Sequence, residues 1–286
     1  MLAQVEPDVL PVDTAGERVD DDELFNAAFT GDFDAVAAAI DAGTNPTVAR
    51  ERDGWTMLMF AAQDGYTDIA QLLLDAGADP DRGTDDNWTP LMIASQNGHD
   101  DVVALLLDRG ANPRIGRSTN WTALHSAVLN GEIGAAGLLI DAGVPLEAAE
   151  RGFTALALAG QQGEDGIAQL LIDSGADVNG AAEGTRPIYM AAQNGNESTV
   201  DLLLTAGADP NLPGDHDPVM VIAGQNAHAG VIRILVDGGA DIDAARSDGI
   251  TALHWAAYNG NAELVTLLLE LGADPTLTTT GGDTPK

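Results

Sequence analysis

Five histidines, 45 carboxylates and no cysteine are the groups with which this 286-residue chain could do acid–base or metal chemistry. Without cysteine there are no disulfides, thiolate zinc sites or thiol nucleophiles. His216 and His228 share a short stretch with Asp215 and Asp217, where a His/carboxylate metal site could form, yet no ordered ligand spacing accompanies them. The pairs Asp79/Asp81, Asp215/Asp217 and Asp241/Asp243 resemble fragments of a calcium loop. None runs on to the glycine and the bidentate glutamate such a loop requires, so loosely held surface cations are expected rather than a dedicated site. There is no G-x-S-x-G elbow, no phosphate-cradling glycine loop followed by lysine, and no H-E-x-x-H. No catalytic residue, metal or cofactor is therefore assigned, and the chain reads as non-enzymatic.

Two rows of residues recur instead. Trp55, Trp88, Trp121 and Phe153 follow one another at intervals of 33, 33 and 32, and Ile250 resumes the series. Such rings either pack on the neighbouring unit or pack there and also contact a partner. Gln63, Gln96, Gln161, Gln193 and Gln225 form the second row, interrupted by Leu129 and Tyr258. Polar residues before a helix-terminating glycine suit a C-cap, but five matching glutamines exceed what capping needs.

The elements that must carry these rows are set by glycine. Gly43, Gly77, Gly110, Gly143, Gly175, Gly207, Gly239 and Gly272 recur every 32 to 34 residues. A second set, Gly31, Gly65, Gly98, Gly131, Gly163, Gly195 and Gly260, precedes them by about twelve residues, with Ala227 filling its one gap. A fixed period in this range marks a repeat array. Within one unit, Asp53-Gly54 supplies a turn, Thr56 caps a first helix and Gly65 ends it. Ile69, Leu72 and Leu73 then give a second helix an apolar stripe, which Gly77 stops. Helices of about nine residues do not persist alone in water, so units must stack.

At the level of motifs the chain resembles the ankyrin-repeat family. TMLM (56–59), TPLM (89–92), TALH (122–125), TALA (154–157) and TALH (251–254) match its tetrad, and LLLDAGAD, LLLDRGAN, LLIDSGAD, LLLTAGAD and LLLELGAD match its second-helix end. The resemblance implies an all-α solenoid of about eight helix-turn-helix units with short β-hairpin loops over residues 23–280. Residues 1–22 read as an acidic, mobile leader, and 281–286 as the start of a ninth unit, cut short or terminal. The resemblance further implies inter-repeat hydrogen bonding for His125 and His254 and a structural turn role for His99. It also implies a groove floored by the amide row. Departures fall at Arg186, at Asp217 in the threonine position, at Ala227, and at Gly224 inside a first helix, which together mark soft joints.

Charge narrows the function. Lys and Arg number 12 against 45 Asp and Glu, a net charge of −33. That field repels phosphate backbones and anionic lipid, so neither nucleic acid nor membrane is an expected partner. No stretch reaches the ~18 apolar residues of a membrane span. The expected function is a protein–protein interaction module binding a neutral or basic protein. Its contact residues would be Trp55, Trp88, Trp121, Phe153, Gln63, Gln96, Gln161, Gln193, Gln225 and Tyr258. Two alternatives stand beside it: a specific inhibitor of one enzyme or toxin, and the appended array of a larger, exported enzyme. The chain itself is expected to be monomeric and cytoplasmic, or periplasmic or secreted if Met1-Leu2-Ala3-Gln4 is the remnant of a removed export signal.

Overall fold

The computed structural model describes residues 21–117, 120–150, 152–180, 185–212 and 217–285. Nearly all of the acidic leader, His216 with Asp215, and Lys286 lie outside these. Eight helix pairs run along the described chain: α1 (Asp21–Thr30) with α2 (Phe33–Asp41), α3 (Met57–Asp64) with α4 (Thr67–Asp75), α5 (Pro90–Gln96) with α6 (Asp100–Asp108), and α7 (Ala123–Leu129) with α8 (Ile133–Asp141). They continue as α9 (Ala155–Gln162) with α10 (Asp165–Asp173), α11 (Pro187–Asn194) with α12 (Glu197–Thr205), α13 (Val219–Gln225) with α14 (Ala229–Asp237), and α15 (Ala252–Tyr258) with α16 (Ala262–Glu270). Among the described residues the only strand pair is β1 (Ala149–Glu150) with β2 (Phe153–Thr154), antiparallel. Single bridges join Ala49 to Thr56 and Gly116 to Thr122.

Most first helices start after a buried threonine. The hydroxyls of Thr56, Thr89, Thr154 and Thr251 accept from the backbone N–H three residues on, at 3.2–3.4 Å. α11 and α13 lack this cap, starting instead after Arg186 and Pro218. The small residues of the first helices, among them Ala61, Ala94, Ala127, Ala159, Ala191, Ala223 and Ala256, are fully buried. First helices consequently touch along more of their length than second helices do. The stack therefore bends with the first helices on its inner side.

Glycines inside two first helices sharpen this approach, which corrects the reading of Gly224 as a defect. A Cβ on Gly224 would stand 2.6 Å from the Cβ of Ala252 in α15, and one on Gly160 would stand 2.7 Å from the carbonyl oxygen of Pro187 in α11. Bare backbone at these positions lets the next helix close in. The most extensive contact in the stack is the one between α9 and α11.

The turn between paired helices has the same logic. Gly65 ends α3 in the left-handed region, at φ 74°. The His99 ring of the following unit occupies the space its Cβ would need, 2.6 Å away. Ala227 takes the same left-handed conformation, at φ 59°, with a side chain. That costs about 1–2 kcal/mol relative to an unstrained residue.

Two substitutions separate these effects. Gly224→Ala should destabilise by about 1–3 kcal/mol through overpacking, against the ~1 kcal/mol gain helix propensity alone would give. Ala227→Gly should stabilise by about 1 kcal/mol. Urea denaturation of each variant reads the sign, and amide exchange in α13 faster than in α3 and α5 would place the soft joint there.

Candidate interaction face

The residues with chemical potential are spent on joining units. The backbone N–H of Thr122 donates to His125 Nδ1 at 3.3 Å, which leaves Nε2 to carry the proton. Nε2 then donates to the Phe153 carbonyl of the next hairpin at 3.3 Å. His254 repeats the arrangement, reaching the Asp283 carbonyl at 3.2 Å. Both act as the resemblance implied. His99 and His228 follow the turn between paired helices and reach back to the carbonyls of Gln63 and Gln193, at 2.9 and 3.1 Å. Asn196 does the same with its amide, to Gly160 and Gln161 at 2.8 and 3.0 Å.

The His228 ring is a clasp on the preceding helix, and Asp217 lies 3.5 Å from Arg246, while Asp215 and His216 of that stretch lie outside the described residues. Two of the Asp-x-Asp pairs, Asp79/Asp81 and Asp241/Asp243, are also clasps. Asp79 accepts the N–H of Asp81, whose own carboxylate accepts the N–H of Asn112 in the next unit at 2.7 Å. Asp241 and Asp243 continue the scheme to Asp274 at 2.9 Å, and Asn179 and Asn211 occupy the same place in between. The described residues hold no group of three or more His, Cys, Asp or Glu side chains placed for a metal.

The aromatic row sits on the hairpins. The carbonyls of Trp55, Trp88, Trp121 and Ile250 close the turns, accepting from Arg50, Thr84, Arg117 and Arg246 at 2.7–3.2 Å. The rings are half-buried, and none of the four rings stacks on another. Trp55 packs on Phe60 with centroids 5.0 Å apart, and the Arg50 guanidinium covers Phe60 at 4.7 Å. Arg117 reaches from the next hairpin to lie over Trp88 at 4.9 Å while its Nε donates to Asp86 at 3.0 Å. Trp121 Nε1 donates to Ser126 at 2.7 Å. Each ring is thus packed against its own unit or a neighbour, with part of its surface left exposed. Arg50, Arg117 and Arg246 share one place in the repeat with Thr84, a recurrence the sequence reading passed over.

Beside Arg50, burial pushes the Asp53 carboxyl up. Hydrogen bonds from Arg50 and the Trp55 N–H, with the charges of Arg50 and Arg52, outweigh it and leave Asp53 below the ordinary carboxylate range.

The amide row lies on the inner helices. Gln63, Gln96, Gln161, Gln193 and Gln225 are all half-buried at one position, near the C-terminal end of α3, α5, α9, α11 and α13. Leu129 and Tyr258 hold that position in α7 and α15, and they are 42% and 83% exposed. Tyr258 meets Trp255 edge to face at 6.0 Å. Trp255 is a second residue the sequence reading passed over: its indole nitrogen is buried without a hydrogen-bond partner.

The outer helices are acidic. Asp41, Asp75, Asp108, Asp141, Asp173, Asp237 and Glu270 each close a second helix, and no basic residue lies in the last turn of any helix. A carboxylate at this negative dipole end costs about 0.3–1 kcal/mol. Asp75 is relieved by Gln71 at 2.8 Å and Arg109 at 2.7 Å, and its carboxyl is held below the ordinary range.

A family model described as ankyrin repeats (3 copies) matches residues 24–117, 109–182 and 188–279. The chain belongs to the ankyrin-repeat family. Over 63 residues it is 38% identical to protein phosphatase 1 regulatory subunit 27 from both Mus musculus and Homo sapiens. That match takes in 22% of this chain and only 40% of the relative's length. The crystal structure of the human ASB11 ankyrin repeat domain aligns with TM-score 0.69 at 22% identity, covering 76% of this chain and 98% of that one. Ankyrin repeats are in general protein-interaction modules, and the described residues contain no helix long and apolar enough to cross a membrane.

The charge distribution gives a direct test. With 45 carboxylates and 12 cations, at least 33 acids lack a one-to-one partner, and screening should relieve both their repulsion and the dipole cost. Melting temperature is expected to climb between 0.05 and 2 M NaCl, and likewise in KCl. A flat or falling curve means the charges are compensated locally.

Proposed function

We propose that the chain is a non-enzymatic module that holds a neutral or basic protein on its inner helices and hairpin edge. The observation that carries this reading is the amide row with its two exposed apolar members, Leu129 and Tyr258. An aromatic ring 83% exposed at the end of a row of amides has the composition of a binding hot spot. The acidity of the chain steers a basic partner toward it and disfavours an acidic one. The hairpin aromatics serve this face by fixing the loops that border it.

A second reading, regulation of one enzyme by occlusion, draws support from the 63-residue likeness to a phosphatase regulatory subunit. It differs from the first only in the identity of the partner. Affinity capture from native lysate, followed by mass spectrometry, identifies the class.

Variants locate the face. Tyr258→Ala should leave the melting temperature unchanged and weaken capture by about thirtyfold or more, as loss of a hot spot does. Trp121→Ala should lower the melting temperature, since it removes a half-buried ring and the bond to Ser126. If Tyr258→Ala and Leu129→Ala both capture the partner as well as the parent chain, the inner face is not the contact surface.

A further inference from the structure

The two ends of the stack are finished differently. A repeat position that faces the following unit is already covered in the first unit, before which no unit is described. Ala28 and Val36 are such positions, and the residues at the same two places are buried in every unit up to α13 and α14. In the last unit those places hold Ala257 and Val265, which are only half-buried. Leu269 is a third. Its counterpart Leu204 reaches forward to Gly238, where a Cβ would stand 2.7 Å from its Cδ1. The counterparts of Leu269 in the seven earlier units are half-buried, whereas Leu269 itself is 44% exposed.

Positions that face the preceding unit are polar or small at the other end. Glu23 is exposed where Met57, Ala123 and Ala252 are buried, and Ala38 is exposed where Leu72, Leu138 and Leu267 are covered. A stack of repeats needs polar outer faces on its terminal units. The first unit supplies one, and the last keeps the apolar face of an internal unit. After α16 the chain turns back as a hairpin, with the Thr279 N–H donating to the Asp283 carbonyl at 2.9 Å and the Thr280 N–H to the Asp248 carbonyl at 2.8 Å. That hairpin extends the loop edge and leaves Ala257, Val265 and Leu269 uncovered.

The open face is also uncharged. α15 has no charged residue, and α16 has only Glu263 and Glu270, near its two ends. Elsewhere one copy of this chain opposes another, because carboxylates close the second helices and the net charge is −33. Head-to-tail stacking would press Glu23 into the apolar face, at the cost of desolvating an unpaired charge, and would propagate without closing. Contact of like ends about a two-fold axis closes and buries three apolar positions from each copy. It continues the interface that each junction within the chain already uses.

We propose that two copies of this chain pair end to end through the open face of α15 and α16, in place of the monomer expected from the sequence. This pairing is separate from the interaction face on the inner helices.

Sedimentation equilibrium of the intact chain, at concentrations up to about 100 μM, should show a species of twice the 29.4 kDa chain mass. Pairing should tighten as NaCl rises from about 0.05 to about 1 M, as screening shortens to about 3 Å. Leu269→Glu should weaken pairing about a hundredfold or more, since the two-fold contact brings two like charges into one apolar interface. Ile133→Glu, at another exposed apolar residue in α8, should leave pairing unchanged. Circular dichroism and melting temperature check that both variants fold. Leu269 lies on an outer helix, so Leu269→Glu should still capture a partner protein, and the two readings fail separately. A chain that stays monomeric over this range, or pairing that Leu269→Glu does not weaken more than Ile133→Glu does, overturns the proposal. So does a monomer whose melting temperature rises when a copy of residues 91–112 is joined after Pro285, because the face then takes a further helix pair and not a second copy.

Discussion

Every helix in this stack is too short to be stable by itself, so the whole structure depends on how closely one unit can lie against the next. Close approach is achieved by removing side chains where units meet: buried alanines along the first helices, glycine at 160 and 224, and glycine at the turns where a neighbour's ring sits. It is then fixed by side chains that reach one unit along to a backbone group. His99, Asn196 and His228 hold helix ends, His125 and His254 hold hairpins, and Asp81, Asn179, Asn211 and Asp243 hold the loops. Three sets of such bonds recur, each at a fixed place in the repeat but not at every junction. A stack built from nearest-neighbour terms gains stability with each unit added and is weakest where a term is poor.

The same economy takes up many of the groups that could otherwise do chemistry. Four of its five histidines are occupied as clasps, and the aspartate pairs that look like cation ligands are bonded to N–H groups. On the inner face, four glutamine amides without a hydrogen bond among the described residues share one repeat position with the exposed Leu129 and Tyr258. Inner and outer layers thus differ in kind. The inner helices present amides and isolated apolar groups, and the outer helices present carboxylates at their negative ends with little local compensation. The negative field of these carboxylates repels other acidic surfaces.

The sequence by itself determined the period, the helix pairing and the family, because glycine spacing and the T-x-L-x tetrad encode local backbone geometry that neighbours do not alter. Thr56 caps and Gly65 terminates α3 for reasons contained within ten residues. The clasp roles of His125 and His254 came with the family resemblance and were confirmed by their partners one unit away. What sequence could not reach were relations across units. Gly224 looked costly because helix propensity is a property of one helix, whereas its value lies in the position of Ala252 in another. The partners of His228, Asp81 and Asp243 are backbone groups about thirty residues distant, to which a local motif gives no clue. The difference in exposure between Leu129 and the buried leucines of its own helix pair, and the placing of Arg117 over Trp88, were settled only when the stack formed. Burial and ring contact are set by what the neighbouring unit covers, and that is a tertiary quantity.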